Sequence, residues 1–147
     1  MKRSNRLSPV VDIAAKETEA ALINVASANT TWLNDKKQLD ELHQYKSEYL
    51  DQFRQGDSLV MTAQKVIELR SFITQLDQAI QAQERQVKSH YDVLTRQREL
   101  WQQARSKEQA MQSLVGRYQD EELKHEAKQE QLENDERNTS QWVRRPR

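Results

Sequence analysis

The sequence predicts an all-α fold: an antiparallel two-helix coiled-coil hairpin with the second helix much longer than the first. Apolar residues return at almost every seventh position from Leu59 to Tyr118, at Leu59, Val66, Ile73, Ile80, Val87, Leu94 and Trp101 and, after a gap at Glu108, at Val115. A second apolar row runs beside it through Leu69, Leu76, Ala104, Met111 and Tyr118, the two-row spacing of a coiled-coil seam. Composition points the same way. With 31% charged residues and a mean hydropathy of −1.04, the chain has apolar material for a narrow stripe but not for a globular core. Only two glycines and two prolines occur, so long stretches carry no helix breaker.

The expected organisation is one elongated domain over residues 1–147, with helix one at about 9–54, a turn at about 55–57, helix two at about 58–137 and a basic tail at 138–147. Ser8-Pro9 reads as the start of helix one, because serine caps free amides and proline fits a first-turn position whose N–H would have no partner. The seam of helix one runs through Val11, Ala14, Thr18, Ala21, Val25, Ala28, Trp32, Asp35, Leu39, Leu42, Lys46, Tyr49 and Phe53. The alanines between Ala14 and Ala28 favour close backbone approach. Gly56 supplies a residue that leaves a helix easily, and Asp57 or Ser58 caps the next. A turn centred on Gly56 sets residue i beside residue 112 − i, so Trp32 is expected opposite Ile80 and Val11 opposite Trp101.

At 1.5 Å per residue helix one spans about 70 Å and helix two about 120 Å. Helix two is therefore expected to lose its partner beyond about Ala104, leaving Met111, Leu114, Val115, Tyr118, Leu123 and Leu132 along one side of an overhang. Gln83, His90 and Gln97 put polar groups in the second row, which weakens a seam while fixing its register and is expected to loosen the open end. Gly116 marks a bend or a close backbone approach within the overhang. Beside the seam, positions that are usually charged hold Gln38 and Tyr45 on helix one and Phe72, Ala79, Val93 and Leu100 on helix two. In an antiparallel pair these rows share a side, so Tyr45 and Phe72 become neighbours bordered by Leu42, Tyr49 and Leu76. Aromatic anchors of this kind either widen the seam or bind another protein.

Charge is segregated although the net charge is zero. Residues 119–137 hold eight acidic side chains against Lys124, Lys128 and Arg137, while Lys2, Arg3, Arg6, Arg144, Arg145 and Arg147 place positive charge at the two termini. No basic stripe with interleaved aromatics speaks for nucleic acid. The absence of cysteine removes disulfide and thiol chemistry. Lys2, Arg3 and Arg6 imitate the basic start of a secretion signal, but Pro9, Asp12, Lys16 and Glu17 interrupt any apolar core, and no run of about 20 apolar residues exists to span a bilayer. A cytoplasmic chain is expected. Glu122-Leu-Lys-His125 has the spacing of a di-iron ligand pair, yet its nearest counterpart, Asp40-Glu-Leu-His43, falls at the opposite end. With no phosphate loop and no nucleophile held near a base, the expectation is a non-enzyme without metal or cofactor.

The chain resembles the FliJ family, soluble proteins of the bacterial flagellar type III export apparatus. The resemblance rests on length, an early turn before a longer second helix, Phe72-Ile-Thr-Gln-Leu-Asp-Gln-Ala-Ile80, Trp101 and a C-terminal pattern of Lys107, Leu114, Arg117, Glu130-Gln131 and Asp135-Glu136. Gln112 and Gly116 stand where that pattern has acidic residues. The resemblance implies an adaptor, shaped like the central stalk of rotary ATP synthases, between the export ATPase ring and the membrane export gate, with export chaperones as further partners. It assigns ATPase binding to Lys107, Leu114, Arg117, Glu130, Gln131, Asp135 and Glu136. It assigns gate binding to Gln38, Leu42, Tyr45, Tyr49, Phe72, Leu76 and Ala79. It also implies a chain that is monomeric when free and peripherally associated with the inner-membrane apparatus. An injectisome stalk protein of the same architecture and a homo-oligomeric coiled-coil rod are the alternatives.

Overall fold

The structure, a computed structural model, describes residues 2–55 and 62–144. They form two helices, α1 (Arg3–Gln55) and α2 (Ala63–Arg144), of 53 and 82 residues, with no strand among the described residues. The helices pack closely as an antiparallel hairpin with the second the longer. Packing divides the chain into two compact units. One comprises Met1–Ala20 with Gln102–Arg147, the other Ala21–Trp101.

Both seams follow the seven-residue repeat. On α1 Val11, Ala14, Thr18, Ala21, Val25, Ala28, Trp32, Asp35, Leu39, Leu42, Lys46, Tyr49 and Phe53 are all buried or half-buried, and Ser4 and Leu7 extend the row toward the N-terminus. On α2 the same holds from Val66 to Tyr118, including Gln83, His90 and Gln97, and half-buried Glu108 fills the gap in the apolar row. Only Ala14, Leu76, Ile80 and Leu94 are buried apolar residues among those described, so the core is narrow. Full burial of Leu94 contributes about 1.5–3 kcal/mol.

Helix one begins at Arg3 rather than near Pro9, which lies inside it. Proline removes one backbone hydrogen bond at that point, but contacts from Lys2, Arg3 and Ser4 to α2 hold the preceding turns in place. The described part of helix two begins at Ala63, and its expected start at about 58 lies outside the described residues. Thr62 caps it, its Oγ1 accepting from the Lys65 amide at 3.3 Å while its carbonyl accepts the first helical bond from Val66. The proposed turn and cap residues Gly56, Asp57 and Ser58, like Leu59 and the terminal Arg145 and Arg147, lie outside the described residues.

The register also differs from the expected one. In the unit Ala21–Trp101, Lys46 pairs with Asp77 and Trp32 packs on Tyr91, partners whose numbers add to 123 rather than 112. In the other unit Lys107 meets Glu17 at 3.7 Å, a pair adding to 124. Trp32 opposite Ile80 would also have set two first-row residues against each other, whereas antiparallel helices set first row beside second. The paired part of α2 accordingly continues past Ala104 to Glu122 and Glu126, and the unpaired end is shorter than the length estimate implied. Gly116 is helical without positive φ, and a Cβ there would meet nothing within 4 Å, so no close approach explains it.

The polar layer is internally satisfied. Asp35 is 6% exposed; its carboxylate Oδ2 accepts from His90 Nδ1, and its carbonyl accepts from Gln83 Nε2 at 3.0 Å. Gln83 also donates to Gln38 Oε1 at 3.3 Å. Replacing His90 by leucine strands a buried carboxylate oxygen and is expected to cost about 1–3 kcal/mol in urea unfolding. Adding Asp35→Leu should recover most of that loss. A single variant as stable as the parent chain would show that the pair does not hold the seam.

Candidate partner-binding surfaces

Within the unit Ala21–Trp101, the seam at its Tyr49 end is flanked by rings. Tyr49 packs on Phe72 with centroids 4.5 Å apart, and Tyr45 lies 6.1 Å from Phe72 and 6.3 Å from Tyr49. The predicted neighbours Tyr45 and Phe72 are thus brought together. Their roles divide by burial. Leu76 is 7% exposed and belongs to the core, and Leu42, Tyr49 and Phe72 are half-buried. Tyr45 is 50% exposed and offers its outer face to solvent, with Gln38 and Ala79 exposed on the same flank. Each ring pair contributes about 0.5–1.5 kcal/mol beyond area burial, so the cluster is a firm platform with one ring half available.

The other flank carries a stack that periodicity did not single out. Trp32 and Tyr91 pack with centroids 5.3 Å apart, and the Lys36 ammonium lies 4.6 Å from the Trp32 ring centre, a cation–π contact. Tyr91 sits beside the seam at a position usually charged, the same signal that exposed Tyr45 and Phe72. His43 and Glu84 pair across the same side at 3.9 Å.

In the unit formed by Met1–Ala20 and Gln102–Arg147, the residues assigned to ATPase binding fall into two groups. Lys107 pairs with Glu17, Leu114 is half-buried beside the seam, and Arg117 is exposed. Glu130, Gln131, Asp135 and Glu136 lie on the terminal stretch of α2, where every described residue from Leu123 to Val143 is exposed. Leu132, Trp142 and Val143 are 63%, 72% and 70% exposed there. Leu132 and Val143 share a shallow groove with Asp135, Glu136, Thr139 and Ser140. The stretch is an acidic helix with isolated apolar side chains, not a continuation of the apolar seam.

The acidic segment also has an internal task. The first turn of α1 contains no acidic residue, yet its amide groups carry the positive end of the helix dipole, and Lys2 and Arg3 add charge of the same sign. Glu122 offsets this from α2. One carboxylate oxygen accepts from the Ser4 amide at 3.2 Å and the other from Ser4 Oγ at 2.7 Å. Lys2 pairs with Glu126, and the Arg3 guanidinium lies 5.6 Å from the centre of the Tyr118 ring. The hydroxyl of Ser4 holds the Glu122 carboxyl below its usual range, with the Ser4 amide and Lys2 adding to the effect. Glu126 holds Lys2 above its usual range. Glu122 of the E-x-x-H spacing is engaged with Ser4, His125 is exposed, and no group of three His, Cys, Asp or Glu side chains converges among the described residues.

A family model described as Flagellar FliJ protein matches residues 2–147. No curated protein and no solved structure matches the chain. No described helix is long and apolar enough to cross a membrane.

A depressed carboxyl contributes stability that is present above the ordinary carboxylate range and is lost as pH falls through the folded-state value. An NMR titration of the Glu122 side chain should therefore give a midpoint below 4.5, and Ser4→Ala should move it back up. A midpoint that Ser4→Ala leaves in place would dissociate the carboxylate from the helix terminus.

Proposed function

The chain belongs to the flagellar FliJ protein family and so has a role in the flagellar export apparatus; from that premise we propose that it acts as a non-enzymatic adaptor between the export ATPase and the cytoplasmic part of the export gate. The half-exposed Tyr45 on its Tyr49–Phe72 platform carries this reading. An exposed aromatic held rigid by neighbours loses little freedom on binding and suits a protein interface. Gate contact is assigned to Gln38, Leu42, Tyr45, Tyr49, Phe72, Leu76 and Ala79, with Tyr45 as the anchor and Leu76 as support from below.

ATPase contact is assigned to Lys107, Leu114, Arg117, Glu130, Gln131, Asp135 and Glu136. The exposed acidic end of α2 supports that assignment: its carboxylates suit a basic surface, and Leu132 and Val143 add apolar contact. Export chaperones are further partners, and the protein works at the cytoplasmic face of the inner membrane through the apparatus. The adaptor does no chemistry. It favours an assembled ATPase or an export-active gate by contacting that state more than its alternative.

Tyr45→Ala should weaken binding to the gate's cytoplasmic domain about 30-fold, equivalent to about 2 kcal/mol, with helicity by circular dichroism unchanged. Phe72→Ala added to it should weaken binding further and lower the melting temperature, because Phe72 also packs on Tyr49. Unchanged affinity in a folded Tyr45→Ala variant would overturn the gate assignment.

A further inference from the structure

The turns of α1 that precede Pro9 are built differently from the rest of the hairpin. Their fixings on α2 are polar: Ser4 to Glu122, Lys2 to Glu126 and Arg3 over the Tyr118 ring. Ser4 itself is 5% exposed, a buried polar residue whose side chain is held by Glu122. Leu7 is half-buried, while Asn5, Arg6, Ser8, Pro9 and Val10 are exposed. Pro9 cannot donate to the carbonyl four residues back, so the helix is one backbone hydrogen bond short where these turns meet the apolar seam. A segment with few buried apolar contacts and a weakened backbone junction opens locally at lower cost than the body it joins.

We propose that residues 2–8 form a displaceable strap that hinges at Pro9 and, when closed, covers the face of α2 from Tyr118 to Glu126. Charge closes it, since the basic start of the chain meets the acidic stretch of α2. Opening leaves Glu122 and Glu126 available and joins the uncovered face to the exposed helix beyond. This rests on the adaptor reading in one respect: Leu114 and Arg117, assigned to the ATPase, adjoin the covered face, and Glu130 to Glu136 lie beyond it. The strap therefore divides the assigned surface, and its release makes that surface continuous. In the closed state it acts as an intramolecular competitor for a basic partner.

The absence of cysteine allows a direct test with single introduced thiols. Tyr118→Cys reports on the face beneath the strap, and Val87→Cys reports on the seam of the other unit. Combining Tyr118→Cys with Glu122→Gln and Glu126→Gln, or with deletion of residues 2–8, should speed maleimide labelling about tenfold, while labelling at position 87 in the same backgrounds keeps its rate. Equal rates at position 118 with and without the strap's partners would overturn the proposal, as would a parallel rise at position 87, which reports general loosening. In a second measurement, the chain lacking residues 2–8 should bind purified flagellar export ATPase about tenfold more tightly than the full chain. Equal affinity of the two would refute competition, whereas an ATPase that binds neither form would refute the ATPase assignment and leave the labelling result standing.

Discussion

A narrow two-row stripe of side chains has to hold together two helices of very different length. The seven-residue repeat keeps that stripe facing its partner, and Leu94, Ile80, Leu76 and Ala14 are its driest points. Because the stripe is narrow, whatever falls beside it is left partly exposed, which is how Tyr45 remains half in solvent although Tyr49 and Phe72 hold it in place. Because α2 outlasts α1, its final turns have no stripe to join and are exposed throughout. The surfaces suited to partners are what the seam does not cover.

Charge governs what apolar contact cannot. The start of α1 brings a helix dipole and two basic side chains to one place; α2 receives the dipole through Glu122 and Lys2 through Glu126, with Arg3 over the Tyr118 ring. The segregation of charge that suggests steering of an outside partner therefore first serves the chain's own terminus. Asp35 shows the complementary case inside the seam. A buried carboxylate would oppose folding if it stood alone, but His90 and Gln83 complete its layer and make that layer unlike any other along the hairpin.

The class of fold and the composition of both seams were legible residue by residue, since burial of a face requires a period and the period is visible in the order of residues. The meeting of Tyr45 with Phe72 followed from the same frame. The register was not legible, because every heptad resembles the next and the pattern alone does not decide which layers meet. The start of α1 was misplaced for a different reason. Ser8-Pro9 is a good local signal for a helix start, but Ser4, Lys2 and Arg3 find partners more than a hundred residues away, and local propensity cannot register them. The Trp32–Tyr91–Lys36 stack was not legible because Tyr91 is isolated in its row, among Arg70, Asp77, Glu84, Arg98 and Arg105, whereas the row of Phe72 repeats apolar residues.

The pairing of α1 with α2 within one chain is the claim on which the flank, the exposed helix end and the strap all depend. Its most direct test is disulfide formation in a Lys46→Cys, Asp77→Cys double variant under mild oxidation, with Lys46→Cys, Val66→Cys as the competing register. A rapid intramolecular bond in the first variant and none in the second, with the protein remaining a monomer in light scattering, is the expected result. A bond favoured between positions 46 and 66, or one that forms only between two chains, would contradict it.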